Sequence, residues 1–188
     1  MNTYRNSYRI RLANCSDPMI LPGIERQAAS VYRDFMEVTG LTEQTITDTQ
    51  SVESFAAAQQ EGLLWVVVDR ADTPVGFALL RRLGGTIHLN EFDVHPSHAR
   101  RGLGAALLRH VIDVARSQGV AAVTLTTYRD VSWNAPFYKR MGFRILKEAE
   151  WTPALRELRE NEVNMGLRIE ARVVMRYELS EASRGVKI

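Results

Sequence analysis

At 188 residues the chain can bury one well-formed core and is short for two. Hydrophobic residues make up 45% and charged residues 24%, a balance that excludes a disordered chain. A formal charge of +2 is too small to argue for a nucleic-acid partner.

Tyr8, Ile10 and Leu12 alternate with Arg9 and Arg11, the period of a half-buried first strand. A helix starts at Asp17-Pro18 or, since Pro22-Gly23 interrupts that stretch, near Pro22. Its apolar stripe is Leu21, Ile24, Ala28, Val31 and Phe35. Five threonines and Gly40 leave residues 36–50 with weak periodicity, either a mobile substrate loop or a polar connection. Ser51 to Glu61 reads as a short helix stopped by Gly62, and Leu64 to Asp69 as an apolar strand. Val75 to Arg82 and Thr86 to Val94 are the next two strands, and turns this short predict antiparallel pairing.

Leu103, Leu107, Val111 and Val114, with Leu108, Ile112 and Ala115 beside them, give the following helix a wide apolar face that ends at Gly119. Val120 to Thr127 is a strand, so strand, helix and strand predict a parallel pair with a right-handed crossover. Asn134 to Met141 is a brief helix closed by Gly142, and Phe143 to Lys147 a strand. Thr152-Pro153 opens another helix, and Val173, Met175, Tyr177 and Leu179 mark the last strand. Residues 180–188 read as a frayed tail. The sum is one α/β domain over 1–188, with its core at about 8–179: an antiparallel meander joined to one parallel crossover, flanked by helices.

The longest apolar run, Leu63 to Val68, is too short to span a bilayer, and the polar start MNTYRNSYRI lacks the apolar core of a secretory signal. Cys15 is the only cysteine, so no internal disulfide can form and a reducing, cytoplasmic setting is expected. The four histidines and one cysteine show no metal-binding spacing, and no metal is expected.

The stretch His88 to Gly104, HLNEFDVHPSHARRGLG, organises the rest. A strand ends, a polar link follows, and a Gly-rich turn opens a long helix. The first N–H groups of a helix have no intrahelical partner and sit at its positive end, so such a turn suits a phosphate. Gly102 and Gly104 permit close approach, and Arg100 and Arg101 add charge. Gly102-Leu103-Gly104 has no third Gly for a dinucleotide fingerprint, and no Gly-Lys-Ser/Thr for a Walker loop.

VHPSHARRGLGAALL, followed about thirty residues later by NAPFYKRMGF, resembles the GNAT superfamily of acetyl-coenzyme A-dependent N-acetyltransferases. The likeness is strong over Thr86–Phe143. It implies a sheet splayed near Val94 and Thr127, with the cofactor's pantetheine in the gap. It also implies that the backbone of Phe92, Asp93 and Val94 pairs with pantetheine and acetyl group, and that Ala99 to Ala105, including Leu103, cradles the pyrophosphate.

Two positions depart from the family pattern. Ala99 stands where Gln or Arg usually opens the turn, and Val131 where an Asn usually precedes the Tyr by seven residues. Asn134, one turn later, either contacts pantetheine or caps the helix before Pro136.

The resemblance assigns Tyr138, ahead of Gly142-Phe143, to protonating the departing thiolate; a buried Tyr packed beside Phe137 is its structural alternative. An amine acceptor must lose a proton before attack, and Glu91 and His88 are the candidate bases. His88 shares strand parity with Asn90, Phe92 and Val94, whereas Glu91 faces the other way unless a bulge resets the alternation. Tyr128 and Trp133 are candidates to wall an acceptor pocket, and Arg129 to hold an acceptor carboxylate, against the alternative of an ordinary surface loop.

The reading is an N-acetyltransferase moving acetyl from acetyl-coenzyme A to a primary amine of a small molecule or peptide, by direct attack in a ternary complex. No nucleic acid or membrane partner is expected, and a homodimer is possible on family grounds. A non-catalytic acyl-coenzyme A sensor and a nucleotide-binding interaction domain are the competing readings.

Overall fold

The short turns do force a meander. In a computed structural model, which describes residues 7–179, β1 (Arg9–Leu12), β2 (Leu64–Val68), β3 (Pro74–Leu83) and β4 (Thr86–Val94) pair antiparallel in succession. Asp69 closes the β2–β3 turn, its Oδ1 accepting from the N–H groups of Ala71 and Thr73 at 2.9 and 3.0 Å. β4 then runs parallel to β5 (Ala122–Tyr128), with α5 (Leu103–Ser117) as the crossover.

One feature was not legible beforehand. β7 (Arg172–Glu178) inserts between β5 and β6 (Arg144–Ile145), giving the order β1-β2-β3-β4-β5-β7-β6. The strand expected over Phe143 to Lys147 therefore shrinks to two residues at the sheet edge.

The sheet has two covered faces. Leu103, Leu107, Val111 and Ala115 of α5 pack on Ile87, Leu89, Val123 and Leu125, all at most 4% exposed. Burying one such Leu or Ile contributes about 1.5–3 kcal/mol, so this face supplies a large share of the core. α1 (Leu21–Ala29) and α4 (Val52–Gln60) cover the other face, where Phe55 meets Phe77 edge-on at 5.1 Å.

The first helix departs from its expected stripe. Its α-form stops at Ala29 and the chain tightens into 3-10 geometry over Ser30–Phe35, which rotates Val31 outward to 41% exposure and Tyr32 inward. Residues 36–50 contain two helical turns, α2 (Met36–Thr39) and α3 (Glu43–Thr47), the second held by a Thr42–Thr45 capping box. α6 (Ala135–Arg140) and α7 (Pro153–Asn164) complete the chain order. The tail expected at 180–188 lies outside the described residues.

Candidate active site

The ladder between β4 and β5 is only three pairs long, Ile87–Val123, His88–Thr124 and Leu89–Leu125. Beyond Leu89 the two strands part. β4 continues on β3 to Val94 and β5 continues on β7 to Tyr128, which leaves their facing edges without strand partners. A V-shaped opening results, with main-chain donors and acceptors along one wall.

At the mouth of that opening Arg100 and Gly102 adopt left-handed backbone, φ 57° and 79°. Successive residues of this kind gather main-chain N–H groups into an anion-binding concavity. The first α5 ladder bond runs from Ala106 N–H to the Gly102 carbonyl, so the N–H groups of Leu103, Gly104 and Ala105 precede the ladder. No acidic side chain occupies the first turn of α5. Gly104 sits against Phe92; a Cβ there would lie 3.7 Å from the ring. Ala99 and Arg100 are exposed, and Arg101 is tied to Tyr8 Oη at 2.8 Å and the Ser97 carbonyl at 3.2 Å. These features fit a diphosphate at the helix start.

A bulge settles the parity of β4. Leu79 pairs with Glu91 and Leu80 with Leu89, which leaves Asn90 as the extra residue. Phe92 and Val94 consequently pack on the α5-side core with Ile87 and Leu89. Glu91 and Asp93 turn to the opposite face beside their partners Leu79 and Phe77. There they join Glu25 of α1 in a cleft of about 340 Å³ that also takes in Tyr32, Tyr128, Asn134 and Tyr138.

Glu25, Glu91 and Asp93, buried in one cleft, cannot all ionise easily. Burial, then the charge of Glu91, pushes the Glu25 pKa up to about 8. Burial raises Glu91 as well, opposed by the nearby Arg172 guanidinium. Asp93 rises well above the carboxylate range through burial and the charges of Glu91 and Glu25. Burial likewise raises Tyr138 far above an ordinary phenol, keeping its proton in place. Its ring is held by Phe137, Phe143 and Phe92 at 5.1, 5.7 and 6.4 Å.

His88 is placed elsewhere. Its ring is 2% exposed, bonded to Thr124 Oγ1 at 2.9 Å, and opens onto a neighbouring cavity instead of the cleft holding Tyr138. Burial, with Arg81 and Arg172 nearby, lowers its pKa to about 3, so it stays neutral and is a poor proton acceptor.

Asn134 heads α6 without capping it: its side chain makes no cap bond and reaches Tyr32 Oη instead, with Nδ2 at 2.7 Å. The capping alternative is thereby corrected, since the side-chain amide is engaged by Tyr32 and makes no cap bond. Trp133 packs edge-on to Phe35 at 4.8 Å and near Tyr32 at 5.9 Å, at the rim. Tyr128 lies under the Arg172 guanidinium, 4.8 Å from ring centre. Arg129 is exposed and outside the cleft lining, its N–H bonded to the Ala171 carbonyl.

The chain matches the sequence profile of the Acetyltransferase (GNAT) family over residues 28–143. It belongs to the GNAT family. Among curated GNAT relatives, it is 30% identical over 90 residues to the peptidyl-lysine N-acetyltransferase YjaB of Salmonella typhimurium, covering 48% of this chain and 56% of that one. It is also 30% identical over 93 residues to the ribosomal protein bS18-alanine N-acetyltransferase of Escherichia coli, covering 50% and 63%. The chain thus spans a little over half the length of the curated relatives it matches. In fold it is similar to the PaiA N-acetyltransferase of Thermoplasma acidophilum in complex with coenzyme A, with TM-score 0.69, 15% identity, and coverage of 92% and 99%.

Among the residues lining this cleft, Glu25, Arg172 and the side chain of Asp93 were not expected from the sequence. Glu25 sits among Arg26 and Gln27, and its position on the helix gave no signal that it turns inward. Arg172 gave none, because its neighbourhood depends on β7 entering the middle of the sheet.

Proposed function

We propose that this GNAT chain is an N-acetyltransferase that moves the acetyl group of acetyl-coenzyme A to a primary amine of a peptide or small molecule. The observation that carries this reading is a single opening in the sheet that has an anion-binding helix start at its mouth and Glu91 and Tyr138 within. Bound acetyl-coenzyme A would supply an activated thioester carbonyl. The N–H groups of Leu103, Gly104 and Ala105, with Arg100 and Arg101, hold the diphosphate. The free edge of Phe92, Asp93 and Val94 orients the acyl end, and a main-chain N–H near Val94 meets the charge that develops on the carbonyl oxygen.

Glu91 takes the ammonium proton, directly or through one water, and Tyr138 Oη donates its proton to the departing sulfur. Glu91 suits the first role because its raised pKa brings a carboxylate toward neutral pH. Tyr138 suits the second because its phenol stays protonated. Tyr128, Tyr32 and Trp133 wall the acceptor, whose cation gains from the aromatic faces. Most of the acceleration comes from orientation of two intrinsically reactive partners.

A thiol-release screen with acetyl-coenzyme A across peptide N-termini, lysine peptides and small amines tests the proposal. Release that depends on the amine supports it. Absence of release with every amine, despite coenzyme A binding, would overturn it in favour of a sensor.

A further inference from the structure

A second cavity, about 530 Å³, continues from the cleft along the same face of the sheet toward α4 and α7. The two share Asn90, Glu91, Thr126 and Arg172 in their walls, so they form one groove with Glu91 at the boundary. Glu25, Asp48, Glu91 and Asp93 line one end, and Arg81 lines the other together with Glu61 and Glu162.

Arg81 is an unusual cation. Its Nε is buried with no hydrogen-bond partner, and it has no ion pair among the described residues. Glu162, the first carboxylate whose field it feels, is already engaged: its oxygens take Thr126 Oγ1 at 2.5 Å, Arg172 at 2.8 Å, and Arg159. Glu157 acts on it only at a distance. His88, its cross-strand partner, is neutral and offers no counter-charge. A half-buried guanidinium whose Nε has no partner gains from a bonded anion, and a planar carboxylate is the group its fork accepts best.

Arg81 pairs with His88, three positions before Glu91. The Asn90 bulge sets Glu91 opposite Leu79, two residues from Arg81, so at about 3.3 Å per residue along the strand and about 4.8 Å across it the cationic and acidic stations are about 8 Å apart. We propose that Arg81 is a specificity-determining residue that binds a carboxylate of the acceptor, about 8 Å from the amine to be acetylated. The acceptor class is then a short peptide or peptide-like chain with an amine at one end and an acidic group two to three residues along, since an extended chain spans about 3.3–3.6 Å per residue. A linear polyamine, which would suit the acidic end, has nothing to offer Arg81. This inference rests on the acetyltransferase reading.

The test compares Gly-Gly-Gly, its C-terminal amide, Gly-Gly-Glu-amide and 1,8-diaminooctane as acceptors in thiol release, on the wild-type chain and on Arg81→Gln and Arg81→Lys. Calorimetric binding of Gly-Gly-Gly to the coenzyme A-saturated protein is measured beside it, and a thermal melt checks that each variant folds. The expected kcat/KM of Gly-Gly-Gly exceeds that of its amide by roughly tenfold or more, the scale of a charge-assisted hydrogen bond. Arg81→Gln should bring that ratio to about one and weaken Gly-Gly-Gly binding to match, with Arg81→Lys intermediate. If Gly-Gly-Glu-amide shares the advantage, the anion comes from an acidic side chain; if it does not, from the chain terminus. Equal rates for acid and amide, a ratio unmoved in Arg81→Gln, or a preference for 1,8-diaminooctane would overturn the inference while leaving the acetyltransferase reading intact. Failure to bind coenzyme A or release thiol would sink that reading instead, and Arg81 would then be judged on Gly-Gly-Gly binding to the protein alone.

Discussion

Tyr32 and Asn134 stand 102 residues apart in sequence, yet Asn134 Nδ2 lies 2.7 Å from Tyr32 Oη. The bond ties the 3-10 turn after α1 to the start of α6, and so closes the cleft between the acceptor side and Tyr138. Burial keeps the Tyr32 phenol protonated, and its ring also touches Tyr128 and Trp133. A double-mutant cycle on Tyr32→Phe and Asn134→Ala should return a coupling of about 1 kcal/mol in denaturant unfolding. Additive single effects would show that the contact does no structural work.

Tyr138 is the proposed proton donor, and burial keeps its phenol protonated. Tyr138→Phe keeps the ring packing against Phe137 and Phe143 and removes only the hydroxyl. The expected effect is a fall in kcat of roughly 10²-fold, the low end for general-acid catalysis, with coenzyme A affinity held. Isothermal titration and thiol release, run on the same preparation, separate the two quantities.

As the proposed base, Glu91 sets the expected pH dependence. Burial raises its pKa, so the carboxylate that accepts the proton accumulates only as pH climbs above the ordinary glutamate range. The kcat/KM profile should therefore show an acidic limb above pH 4.5 assignable to this group. Glu91→Gln should lose that limb and roughly 10²-fold of rate, retaining only the limb of the amine itself.

Glu25 gives a stability signature of opposite use. Its pKa rises from 4.5 to about 8 in the folded chain, so folding favours the protonated acid. The associated stability is full below about pH 4.5 and is lost as pH rises through about 8. Glu25→Gln should leave the Tm near pH 4 little changed and raise it at pH 9 by roughly 2–5 °C. A lower Tm for the variant at pH 9 would contradict the assignment.

The frame was legible wherever period and punctuation agree. Alternation at Tyr8–Leu12, the turn at Ala71–Pro74 and the apolar face of Leu103–Ala115 each announce one element locally. The turn that opens α5 was legible too, because Gly102 marks a left-handed position. What escaped depends on partners distant in sequence. The Asn90 bulge exists only as a mismatch between β3 and β4, and it moves Glu91 and Asp93 onto the face covered by α1 and α4. The inward turn of Tyr32 follows from the tightening at Ser30, which no residue there demands. The direction of Asn134 is set by Tyr32, so a helix-capping residue by type serves a tertiary bond instead.

The most direct measurement is calorimetric titration of coenzyme A into the wild-type chain and into Gly104→Asp. An added carboxylate in the first turn of α5 opposes a diphosphate there by charge, while Phe92 leaves room for the Cβ. The expected result is one site per chain, weakened about tenfold or more by Gly104→Asp, the scale of losing a charge-assisted hydrogen bond. No heat on titration, or equal affinity in the two proteins, would contradict the assignment of this turn as the cofactor's anchor.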